Sequence, residues 1–233
     1  MPKETEDGRA RRASDRGRYG RLSRERVLAT ALEVVDRDGL SGLSMRKLGA
    51  ELGVEAMALY RYAPSKDALL DGLVEGFCRE VHQELDQHPP AGGGADGWRR
   101  ELHRIALANH GVALRHPNVV PLLATRLLST PLARRPLPVQ RGDERVLAVL
   151  HDAGIGERRS VEIHRCFTAW LLGYLLVELR AMDDEPGEPD PAFRLGLHRM
   201  PAAELPRLRA TAAAMDGRGG PEGLAAGLDA LLG

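Results

Sequence analysis

The sequence predicts an all-α protein, built as an N-terminal three-helix helix-turn-helix domain and a larger helical domain. Three observations lead there. Apolar residues recur every three or four positions through most of the chain, the spacing that gives a helix one buried stripe. No segment alternates apolar with polar residues as a half-buried strand does. Between Ser44 and Asp67, two short helical patterns flank Gly53, and Pro64 ends the second abruptly.

The elements follow in order. Residues 1–22 are charged and lack an apolar period, so they read as a disordered basic arm. Its Arg9, Arg11, Arg12, Arg16, Arg18 and Arg21 can follow phosphates or simply stay solvated. Ser23 is a helix N-cap, with Arg26 where the Glu of a capping box would stand. Val27, Leu28, Ala31, Leu32, Val34 and Val35 form the stripe of that helix, and Gly39 ends it. Ser44 caps the next helix, on which Met45, Leu48 and Leu52 share a face. After the turn at Gly53, Val54 and Leu59 point inward and close the small core, leaving Tyr60, Arg61 and Tyr62 on display. The DNA-binding domain is therefore expected over 23–66 and the second domain over 67–233.

Ser65 opens a longer helix with Leu69, Leu70, Leu73, Phe77 and Val81 in phase. It must stop before the Pro- and Gly-rich segment 88–94. From Trp98 to Arg115 a further helix fits, with Leu102, Ile105, Ala106, Asn109, Ala113 and Leu114 recurring. Pro117 and Pro121 break it, a short helix is expected over Leu122–Leu128, and residues 131–138 form a Pro-rich connector. Two helices are expected over 139–153 and 157–182. The second carries more apolar residues than one buried face needs, which predicts packing against a partner subunit. Residues 183–201 read as an acidic loop or lid, and Pro221–Leu232 as a last helix striped by Leu224, Leu228, Leu231 and Leu232.

The totals narrow the function classes. Apolar residues make up 43% and charged residues 28%, which suits a globular protein with an ordinary core. No apolar run reaches transmembrane length, so no membrane association is expected. The polar, Arg-rich N-terminus has no apolar signal segment, which predicts a cytoplasmic protein. Cys78 and Cys166 are too few for a disulfide framework and read as reduced thiols. A net charge of zero conceals an uneven distribution: residues 1–66 hold 14 Lys/Arg against 10 Asp/Glu, and the remainder 19 against 23. Basic charge at the helix-turn-helix end suits contact with phosphate there.

The helix-turn-helix resembles the TetR family of bacterial repressors, through Asp-Gly-Leu, Leu-Ser-Met-Arg-Lys-Leu, Leu-Gly-Val-Glu, Leu-Tyr-Arg-Tyr and Pro-Ser-Lys-Asp-Ala-Leu-Leu in succession between Ser23 and Leu73. Val-Glu-Ala-Met-Ala-Leu-Tyr and Ala-Leu-Leu-Asp are similar to the tetracycline repressor branch in particular. The resemblance implies a homodimer that binds double-stranded DNA with its N-terminal domain and a small-molecule inducer with its helical domain. It implies that Ser44, Tyr60 and Lys66 grip phosphate, which sets register rather than sequence preference. Independently, Ala56, Met57 and Ala58 open the second helix, the end that meets base edges, where methyl groups can contact thymine. Arg46 or Arg61 can pair with guanine in a bidentate manner, worth about 1–3 kcal/mol of discrimination. Tyr62 serves either DNA contact or core packing.

Candidates for the inducer site are Cys78, His82, His103, Asn109, Arg126, Phe167, Trp170 and Tyr174, although the three aromatics also suit ordinary packing. His82 falls where the resemblance places a drug contact. Leu123 stands about where the tetracycline repressor has a metal-ligating histidine, which argues against a magnesium–tetracycline inducer. His103 and His110 share a helix face, yet no HExxH or paired-Cys pattern accompanies them, so no metal site and no cofactor is expected. No nucleophile–base pair, phosphate-cradling loop or paired carboxylate signature appears, so no enzyme activity is expected. The reading is a repressor on a palindromic operator, released by a small molecule. A DNA-binding activator, or a regulator without an inducer, fits the same residues.

Overall fold

The computed structural model describes residues 22–89, 96–127, 130–179, 189, 196, 199–201, 203–215 and 219–233. The chain forms two compact units, one of residues 1–83 with 115–142 and the other of residues 84–114 with 143–233. The expected DNA-binding segment lies within the first. The described residues contain helices and turns without strands, as the apolar spacing predicts.

In the first unit, α1 (Arg24–Gly42) starts where Ser23 Oγ accepts the Arg26 N–H at 3.2 Å, one of the donors that a first turn leaves without a partner. Its regular winding ends at Gly39, whose φ of 72° is left-handed and open to glycine at little cost. Helix α2 (Met45–Leu52) is capped by Ser44, and the four-residue α3 (Ala56–Leu59) follows the turn. Ser65 Oγ accepts the Ala68 N–H at 3.0 Å and opens α4 (Lys66–Gln87). Val27, Ala31, Val35, Leu48, Leu59 and Leu69 are fully buried and Leu43, Leu73 and Ala63 nearly so. Each buried Val or Leu contributes about 1.5–3 kcal/mol, which gives this small core its stability. Leu22 is also buried, so the core begins one residue before the expected start of the domain. The remainder of the predicted basic arm lies outside the described residues.

Helix α5 (Gly97–Arg115) starts and ends close to the expected positions. The next segment departs from expectation. Instead of one helix over Leu122–Leu128, there is a 3-10 turn (Pro117–Val119), a single turn α6 (Val120–Leu122) and a π-turn (Leu123–Leu127). Pro117 and Pro121 lack the N–H groups that a continuous helical ladder requires, so the winding changes around them. Helix α7 (Leu137–Asp152) begins two residues before the expected start, because Pro138 fits a first turn that needs no N–H from it.

In the second unit, α8 runs Glu157–Glu178, with Leu179 as its C-cap, where the apolar spacing predicts 157–182. Helix α9 (Pro206–Met215) was not anticipated. Its exposed Leu208 and mainly exposed neighbours leave no apolar stripe to reveal it. Helix α10 (Gly220–Leu232) packs on α8 and buries Leu224 and Leu228 as predicted. Tyr174 and Trp170 of α8 lie where side chains on Gly219, Gly223 and Gly227 would stand, so these glycines permit the close approach. The predicted lid over 183–201 lies almost wholly outside the described residues.

Candidate nucleic-acid interface

The turn between α2 and α3 determines what the motif exposes. Gly53 adopts the left-handed conformation (φ 67°, ψ 32°), and its N–H and that of Val54 return to the carbonyls of Ala50 and Gly49. The turn is so close that a Cβ on Gly49 would lie 2.8 Å from the Val54 carbonyl oxygen and 3.2 Å from the Ala56 nitrogen. Both are backbone atoms and cannot rotate aside. Gly49→Ala is therefore expected to destabilise the protein by about 1–3 kcal/mol, read as a lower urea midpoint at unchanged slope.

Ion pairs fasten α1 to α2. Arg37 bonds Glu51 at 2.6 Å and Asp38 at 2.9 Å, while Lys47 reaches Asp38 at 2.8 Å. Hydrogen bonds from Arg37 and Lys47 hold the Asp38 carboxyl below its usual range, and the Arg37 guanidinium is stabilised reciprocally. Lys47 thus braces the motif, while Arg46 beside it is exposed.

The short α3 divides its residues sharply. Met57 is 77% exposed and Tyr60 43%, and Arg61 is also exposed. Ala58, at 6%, and Leu59 face the core, so Ala58 cannot present its methyl group to a base as expected. Ala56 and Tyr62 are half-buried. The helix ends at Leu59, and Tyr60–Tyr62 form a turn closed by N–H groups of Tyr62 and Ala63 on the Leu59 carbonyl. Pro64 disfavours helical geometry at Ala63, which accounts for a helix shorter than predicted. Ser44 caps α2 from an exposed position, and Lys66 is exposed at the start of α4. The first unit thus displays Ser44, Arg46, Met57, Tyr60, Arg61 and Lys66, a set able to hydrogen-bond phosphate and contact base edges.

The inducer candidates are not brought together within one unit. Cys78, His82 and Arg126 belong to the first unit, and His103, Asn109, Phe167, Trp170 and Tyr174 to the second. Most have local partners. His82 Nε2 lies 2.7 Å from the Pro138 carbonyl, and Arg126 binds Asp67 and Asp71 of α4, each at 2.6 Å. Burial opposes the Arg126 charge, but these carboxylates outweigh it and push its pKa up. His103 contacts Asp229 at 2.7 Å, and Asn109 donates to the Ile105 carbonyl of its own helix. Phe167 is buried, while Trp170 and Tyr174 pack against α10, with the Tyr174 hydroxyl donating to the Gly220 carbonyl at 2.8 Å. All three aromatics thus make packing contacts within the second unit.

The most buried polar pair was missed. His110 Nε2 lies 3.0 Å from both carboxylate oxygens of Glu178, which also accepts the Gly220 N–H at 3.1 Å. The partners stand 68 residues apart, so no local spacing links them. The available signal was a histidine in phase with the buried Leu102, Ala106 and Ala113, because such a position demands a polar partner. Among the described residues, no group of three His, Cys, Asp or Glu side chains has metal-binding geometry. No helix described is long and apolar enough to cross a membrane.

Comparison with known proteins agrees with this architecture. Residues 27–73 match the family described as bacterial regulatory proteins, tetR family, and residues 90–232 match the tetracyclin repressor-like C-terminal domain. The chain is 30% identical to the HTH-type transcriptional repressor DrrR1 of Streptomyces coeruleorubidus, over 75% of this chain and 60% of that protein. It is 28% identical to the class D tetracycline repressor protein of Escherichia coli, over 91% of this chain and 88% of that protein. The matched region spans about three fifths of the first two curated relatives, at 60% and 61% of their lengths. A crystal structure of a possible TetR family regulator from Streptomyces coelicolor superposes with a TM-score of 0.71 at 28% identity, covering 90% of this chain and 98% of that one. Family models thus cover both the helix-turn-helix and most of the remaining chain, and the protein belongs to the TetR family of transcriptional regulators, which are not enzymes.

Proposed function

We propose that the protein is a cytoplasmic repressor that binds a palindromic operator as a homodimer and leaves it when a small-molecule inducer binds. The observation that carries the DNA reading is the exposure of Met57, Tyr60 and Arg61 immediately beyond the tight Gly49–Gly53 turn. Ser44, Tyr60 and Lys66 grip phosphate, with Tyr62 at the margin, and Arg46, Ala56, Met57 and Arg61 meet the bases. The relatives named as repressors support repression over activation. Exposed Val177 on α8 and Leu231 on α10 support a second copy packing on this helix pair. Two reading heads would then stand about one DNA turn apart, roughly 34–36 Å, and an inducer would favour another separation.

The inducer is other than a magnesium–tetracycline complex, because the buried Leu123 offers no ligating atom. Selection of duplexes from random-sequence DNA by the purified protein tests the operator reading. An inverted repeat is expected, and recovery of no preferred sequence would overturn it. A thermal-shift screen of hydrophobic antibiotics then tests for the inducer, whose binding raises the melting temperature.

A further inference from the structure

His116, just beyond α5, occupies an unusual position in the first unit. Its Nδ1 lies 2.8 Å from Asp36 Oδ2 on α1, and its Nε2 lies 3.2 Å from Glu80 Oε1 on α4. The imidazole is 15% exposed. Two residues on, the Asn118 amide donates to the Val35 and Asp36 carbonyls at 2.9 and 3.3 Å, in the last turn of α1 before Gly39, where carbonyls run short of helical donors. Asp36 Oδ1 is buried without a hydrogen-bond partner among the described residues. The Asp36 carboxylate is thus held through its other oxygen, on which His116 is placed.

We propose that His116 is a positioning residue for operator binding, which in its imidazolium form ties the DNA-reading helices to α4. This rests on the operator reading above. Both ring nitrogens face carboxylate oxygens, and only the imidazolium can donate to both. A neutral ring keeps one N–H, and its other nitrogen turns a lone pair toward a carboxylate. Losing the proton therefore weakens one contact while leaving both acids in place. If Asp36 is the partner that loses its donor, a partly buried carboxylate remains with none. The charged neighbours are Asp36 from α1, Glu80 from α4, and Arg115 on the same segment, which contacts Glu80 at 3.5 Å. Arg115 and His116 share the Glu80 carboxylate. Because α1 packs directly on α2 and on the 3-10 turn after His116, loosening this tie frees the reading head to reorient.

The test uses the full chain and a fluorescent duplex selected by the wild-type protein from random-sequence DNA. Wild-type affinity for that duplex is expected to fall about tenfold between about pH 6 and pH 8, where histidines commonly titrate. His116→Gln, which like neutral imidazole donates to one acid at a time, should bind weakly and with a flat profile. His116→Lys keeps the charge across that range and should retain tight binding at the upper end. Melting curves at each pH separate positioning from mere stabilisation, since a purely structural role would move the melting temperature and leave the affinity of folded protein unchanged. Parallel wild-type and His116→Gln affinity profiles would overturn the proposal, as would a His116→Lys profile that falls with pH like the wild type. Failure of the wild-type protein to select any duplex would instead remove the operator reading, and this inference with it.

Discussion

Tyr60→Ala is expected to reduce operator affinity by more than about 100-fold while leaving the fold and the oligomeric state intact. Tyr60 stands at the end of α3, where the chain turns toward Pro64, and is 43% exposed. Its removal thus forfeits modest buried area. A hydroxyl donating to a charged phosphate contributes about 1.5–3 kcal/mol. In a symmetric dimer the contact is lost twice, giving about 3–6 kcal/mol, and each 1.4 kcal/mol is about a factor of ten. A gel shift with the selected duplex reads the affinity, and sedimentation with a melting curve reads the rest. Unchanged affinity would mean that Tyr60 does not grip phosphate. A lower melting temperature accompanying the loss would reassign it to packing. Met57→Ala is expected to behave differently, because Met57 carries no hydrogen bond to phosphate: its effect should depend on the base pairs beneath it.

Much of this surface was legible in the sequence because it depends on local chemistry. Serine hydroxyls at Ser23, Ser44 and Ser65 announce helix starts by satisfying nearby N–H groups, and each does so at 3.0–3.2 Å. Gly53 announces the turn because left-handed geometry is inexpensive for it. What was not legible depends on residues far apart in sequence or on small differences in winding. Ala58 and Met57 are adjacent, and their opposite exposures follow from the rotation of a four-residue helix. No hydrophobic period is long enough to fix that phase. His116 meets partners 80 and 36 residues away, and His110 one 68 away. Helix α9 escaped notice because it buries too little to need an apolar stripe. Chemical type alone marks the inducer candidates in the sequence, and most of their polar groups have partners within the fold.

His110→Leu is expected to destabilise the protein by about 3–5 kcal/mol, the cost of leaving a buried carboxylate without its partner. His110 is 3% exposed, and the Glu178 side chain 9%. Without the imidazole, Glu178 retains the Gly220 N–H, too little to solvate a carboxylate in this setting. Glu178 also governs how α10 docks, because the Gly220 N–H binds it while the Gly220 carbonyl accepts from Tyr174. Burial raises the Tyr174 pKa, and the nearby Glu178 charge raises it further, so this hydroxyl remains a donor at neutral pH. Glu178→Leu alone should also destabilise, since it leaves His110 buried without its acceptor and removes one of the two hydrogen bonds that hold Gly220 at the start of α10. The double variant should be less destabilised than the sum of the two, because no ionisable group is then stranded. Urea denaturation of all four proteins measures this coupling. Additive losses would show that His110 and Glu178 act independently, and the buried pair would then be packing rather than a tie between α5, α8 and α10. If the tie holds, each single variant should also need a higher protein concentration than the wild type to remain the proposed dimer, and the double variant should need a smaller increase.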